Sequence, residues 1–179
     1  MSNYIFTPRS TVPAAYDPYY TRTGSGGLNP CIQGDPEAWP GSALANCVGY
    51  TTGRWYEIMD QNPGLCPYDA KYWWSYNDGY QRGSEPKLGA IICFDSSNAG
   101  HVAVVESISP DLNSITTSNS AYQQTIYYNQ TLYRSNAWTW NSAFTFQGFI
   151  YLPDSVVSID SFAALMSAII KKMRRKRRP

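Results

Sequence analysis

The chain has 179 residues, 43% of them apolar, enough for one domain that buries a core without metals or disulfide staples. Its formal charge of +1 hides an asymmetry: residues 171–179 (KKMRRKRRP) hold 7 of the 14 Lys and Arg, leaving 7 bases against 13 acids, a net of −6, in the rest. An acidic body argues against nucleic-acid binding, which needs basic charge on a folded face, and no run of 18 apolar residues is present to span a membrane.

The N-terminus (MSNYIFTPRSTVPAAYDPYY) lacks the charged and apolar regions of a secretory signal, so synthesis in a cytoplasm, with export by other means, is expected. Residues 1–36, rich in Tyr, Pro and Gly, read as a loop-rich lead-in whose Tyr side chains cover the body. A helix is expected next in SALANCVGYTTGRWYEIMDQNPG. Ala45 or Asn46 would cap it, Val48, Thr51, Thr52, Trp55 and Ile58 or Met59 would form one face, and Asn62-Pro63-Gly64 would end it. Cys47 then falls in the first turn. A second, shorter helix is expected in PYDAKYWWSYN, ending at Asp78-Gly79.

The texture then changes to β-branched and aromatic runs, KLGAIICF, HVAVVESI, SITTSNSAY, TIYYNQTLY and FTFQGFIYL, separated by Gly, Pro, Asn and Asp. Helices followed by strands indicate an α+β domain with an antiparallel sheet, with its body over residues 37–153. From Asp154 a helical stripe of Ile159, Phe162, Met166, Ile169 or Ile170 and Met173 is expected, running into the basic tail.

Four cysteines (Cys31, Cys47, Cys66, Cys93) include no C-x-x-C pair, and with one His in the chain a zinc site is disfavoured. A thiol with pKa about 8.5 is a poor nucleophile at neutral pH. Cys47 would be activated by the helix N-terminus it occupies and by the single imidazole, His101, which begins a strand after the turn NAG. The following strand offers Asn119, whose carbonyl oxygen can orient the ring. The Cys47 N–H, with the Asn46 side chain as a second donor, would hold an oxyanion. Trp73, Trp74, Trp138 and Trp140 are candidates for stacking on sugar rings, with core packing as the alternative. Cys31, Cys66 and Cys93 read as small buried apolar residues.

NCVGY, PKLGAIICF, GHVAVVES and TTSNSAY, in this order, resemble the CHAP family of cysteine- and histidine-dependent amidohydrolases and peptidases. GGLNPCIQG and FQGFIYLP look like catalytic domains of phage lysins acting on Gram-positive hosts, and the resemblance spans roughly residues 25–153. It implies a papain-like fold and cleavage of amide bonds in peptidoglycan, at the muramic acid–peptide link or within the peptides. Cys47 matches the family's nucleophile and His101 its base. Many relatives show Glu followed two residues later by Asn on the third strand; here those positions hold Asn119 and Ala121, leaving Asn119 as orienter. No cofactor is required. Some relatives bind calcium, but the spacing of Asp17 and Asp35 is not that of a calcium loop.

Residues 154–179 are expected to do something smaller than a separate wall-binding module. Their stripe and seven bases suit an anionic membrane or wall polymer, or a virion component. The rival to an enzyme is a non-catalytic CHAP-like protein that binds the wall or assembles into a phage tail.

Overall fold

The computed structural model describes residues 4–33, 37–153 and 156–158. One α-helix, α1 (Cys47–Met59), packs on a six-stranded sheet of β2 (Arg82–Gly83), β3 (Ile91–Asp95), β4 (His101–Ile108), β5 (Ser114–Asn119), β6 (Tyr128–Tyr133) and β7 (Thr145–Ile150). The strand order is β2-β7-β3-β4-β5-β6, and every pairing is antiparallel. This is the expected α+β, papain-like arrangement. The five expected strand runs are all present, and β2 is an addition.

Asn46 caps α1: its Oδ1 accepts the N–H groups of Val48 and Gly49 at 2.9 and 3.1 Å, satisfying donors that a helix start leaves open. The helix ends earlier than Asn62-Pro63-Gly64, because Asp60 turns left-handed (φ 50°), a conformation that Asp tolerates better than most residues. PYDAKYWWSYN does not form an α-helix. It makes a 3₁₀ turn at Ala70–Tyr72 because Trp73, fully buried, donates Nε1–H to Tyr68 O at 3.1 Å and fixes a tighter path.

Alternation along the strands sends side chains to two faces. Ile91, Cys93, Val102, Val104 and Ile150 pack with Val48, Trp55, Ile58 and Met59 of α1. Ile92, Phe94, Ala103, Val105, Ile115, Leu132 and Phe149 form the opposite face, covered by Trp138, Trp140 and Phe144 from the β6–β7 connection. Each fully buried Ile or Phe contributes about 2 kcal/mol relative to exposure.

The outer side of α1 is buried as well, so the helix is enclosed rather than one-faced. The chain before α1 crosses it at two glycines: a Cβ on Gly49 would lie 2.0 Å from Ala43 O, and one on Gly53 would lie 2.6 Å from Tyr19 O of the lead-in. Tyr20, Trp39, Leu44 and Tyr50 cluster there, as expected of a Tyr-rich cover. A buried ion network ties lead-in, helix and sheet together. Arg54 on α1 donates Nε–H and Nη2–H to Glu106 on β4 at 2.9 and 3.0 Å, and Nη1–H to Glu57 at 2.9 Å. Ser118 Oγ–H and the Arg9 backbone N–H donate to the same Glu106 carboxylate.

Within the expected C-terminal helix, Val156–Ser158 is instead a strand, β8, running parallel to β1 (Tyr4–Phe6). The stripe from Ile159 to Met173 and the basic run lie outside the described residues.

Candidate active site

Cys47 is the first residue of α1. Its position is fixed from both sides: Asn46 N–H donates to Ser120 Oγ at 3.0 Å, and Gln123 N–H donates to Ala45 O at 3.4 Å, tying the cap to the loop after β5. Burial pushes the Cys47 thiol up to about 11; the N–H groups of Val102 and Val48 pull the other way without overcoming it.

His101 opens β4. The turn before it depends on Gly100, whose φ is +75° and whose Cβ would lie 2.6 Å from both Lys71 N and Phe94 O. Only glycine allows residues 69–72 to pack against this turn, where Lys71 N–H donates to Ala99 O at 2.8 Å. Trp140 covers the imidazole at 4.2 Å between ring centroids and is itself stacked on Phe144 at 4.9 Å.

His101 Nε2 and Asn119 Oδ1 are 3.0 Å apart. The orientation of the amide follows from its other end: Nδ2 donates to Thr117 O at 3.1 Å and to Thr117 Oγ1 at 3.0 Å, while Thr117 Oγ1–H donates to Gln130 O. A flipped amide would set carbonyl against carbonyl, so Oδ1 faces the ring and Nε2 carries the proton. Nδ1 is then the basic nitrogen. Burial pushes the imidazole down to about 4, against the opposing effect of the Asn119 bond.

Burial thus acts against charge on both the thiol and the imidazole. The N–H groups expected at the helix start are present and favour the thiolate, while desolvation opposes it.

Cys47, His101 and Asn46 line one cleft of about 890 Å³. Asn46 spends its carbonyl oxygen on the helix cap, which leaves its NH₂ for another acceptor. Such a cleft can deliver a sulfur nucleophile, a base with a fixed tautomer and amide donors to one carbonyl carbon.

Of the four Trp candidates only Trp140 lines the cleft. Trp73 is a buried core residue, Trp74 packs on the same core beside Gly148, and Trp138 is buried on the far face. The reading of Trp73 and Trp74 as groove residues is therefore corrected in favour of the alternative, core packing: Trp73 is buried in the turn after Ala70–Tyr72 and Trp74 is partly buried against the same core. All four cysteines are free; Cys66 and Cys93 are buried as expected, and Cys31 is half-buried. Among the described residues no cluster of three His, Cys, Asp or Glu could hold a metal ion. Sequence reasoning missed Thr117 and the covering role of Trp140. Thr117 sits two residues before Asn119 on the same strand face, a signal that was available; Trp140 comes from a connection with no periodicity to read.

No curated protein matches the chain. Residues 37–121 match the family model of the CHAP domain, a span that contains Cys47, His101 and Asn119, while β6 and β7 complete the same sheet beyond it. Residues 37–121 therefore form a CHAP domain, the domain of a family of cysteine- and histidine-dependent amidohydrolases and peptidases.

Proposed function

We propose that this protein hydrolyses amide bonds of Gram-positive peptidoglycan, as an N-acetylmuramoyl-L-alanine amidase or a peptidoglycan endopeptidase, with Cys47 as nucleophile, His101 as general base and Asn119 as the residue that orients the ring. The observation that carries this reading is the 3.0 Å contact of His101 Nε2 with Asn119 Oδ1 beside Cys47 in one cleft.

In this mechanism the thiol is deprotonated as it attacks. His101 Nδ1 takes the Cys47 proton while sulfur adds to the carbonyl carbon, and the imidazolium so formed is held by its Nε2–H bond to Asn119. The Cys47 N–H and Asn46 Nδ2 bind the oxyanion. His101 then returns the proton to the leaving amine, and activates water to cleave the thioester. We place the protein with phage lysins or virion-borne wall hydrolases, made in the host cytoplasm and acting on the wall after release or on delivery, with the basic tail as an attachment to an anionic polymer, membrane or virion component.

The test is incubation of the full chain, beside Cys47→Ala, with Gram-positive sacculi, and mass spectrometry of the new termini. Free N-terminal L-Ala identifies an amidase; a new stem or cross-bridge terminus identifies an endopeptidase. No Cys47-dependent release from several wall types overturns the proposal and leaves wall binding or assembly in its place.

A further inference from the structure

The cleft contains one carboxylate that amide cleavage does not use. Asp69 precedes the 3₁₀ turn Ala70–Tyr72, where an Asp commonly accepts a backbone N–H, yet its side chain makes no capping bond. Among the described residues it forms no ion pair. The adjacent Lys71 ammonium is directed instead over the Tyr72 ring, 5.2 Å from its centroid. Asp69 is half-buried.

Its place is fixed. Lys71 N–H is bonded to Ala99 O, Gln147 Nε2–H donates to Lys71 O at 3.3 Å, and Gly100 admits the backbone of Lys71. Asp69 and His101 are therefore carried on two segments that are in contact. Lys and Arg are absent from the described residues lining the cleft, and Asp69 is the single carboxylate among them. Asp69 thus gives the cleft a fixed negative charge, which favours positive groups.

We infer that Asp69 binds a primary ammonium of the substrate, making the enzyme selective for wall peptides that carry a free amine near the scissile amide. This inference rests on the peptidoglycan reading above. The ammonium sits on a side chain or at the start of a branch, and is held in the ground state and the transition state alike, so that its loss raises KM and leaves kcat unchanged.

The test compares untreated sacculi with sacculi whose amines have been acetylated by acetic anhydride, each cut by wild type and by Asp69→Asn. Acetylation is expected to raise the wild-type KM about tenfold, the effect of one charge-assisted hydrogen bond at a partly exposed site. Asp69→Asn is expected to show the same rise on untreated walls and no response to acetylation. Equal wild-type cleavage of both walls overturns the inference and leaves the peptidoglycan reading standing, and this arm does not depend on how the variant folds. Cleavage of neither wall overturns both.

Discussion

His101 should make the fold sensitive to mild acid, and His101→Gln should remove that sensitivity. The ring is held neutral by burial and titrates at about 4 in the folded chain, against 6.5 when exposed. Between those values the unfolded state binds a proton that the folded state does not, so stability is complete above pH 6.5 and is lost as pH falls toward 4. At about 1.4 kcal/mol per pH unit the loss is about 3 kcal/mol. Gln keeps an N–H to offer Asn119 but cannot titrate. Carboxylates contribute to acid loss in both proteins: Glu57, whose carboxyl is held below its usual value by Arg54 and Arg9 despite burial, cancels when wild type and variant are compared at each pH. Urea unfolding at intervals from pH 7.5 to 4 supplies the measurement. Wild type should lose about 3 kcal/mol more than His101→Gln across that range. Parallel stability curves would refute the burial argument.

Two further outcomes follow from the same structure. Alkylation of Cys47 by iodoacetamide, told apart from Cys31 on the shared tryptic peptide 23–54 by fragment masses, should accelerate with pH toward a midpoint near 11; a midpoint below 7 would mean a preformed thiolate–imidazolium pair. Glu106→Gln should destabilise the fold by about 3 kcal/mol in urea, because it leaves Arg54 buried beside an uncharged amide; a change under about 1 kcal/mol would show that the ion network is dispensable.

The candidate site was legible in the sequence because several of its signals are local and the resemblance to the CHAP family joined them. Asn46 is a capping residue directly before a helical repeat, which puts Cys47 at a helix start. Gly100 before the apolar run HVAVV puts His101 at a strand start, and SITTSN puts Asn119 on the neighbouring strand. Each depends on residues a few positions away, so order along the chain was enough. PYDAKYWWSYN failed for the opposite reason: its helical periodicity was overridden when Trp73 was drawn into the core. Trp74 followed it, while Trp140, which nothing local marked, came to lie over the imidazole.

By itself, then, the sequence determined the α+β class, the strand runs, and the placing of Cys47 at a helix start and of His101 and Asn119 on neighbouring strands, since capping, alternation and turn chemistry act over short spans. Tertiary structure alone decided the burial that opposes charge on the thiol and the imidazole, the direction of the Asn119 amide through Thr117, and the presence of Asp69 in the cleft. These depend on desolvation and on hydrogen bonds between segments far apart in the chain, and neither exists until the segments have packed.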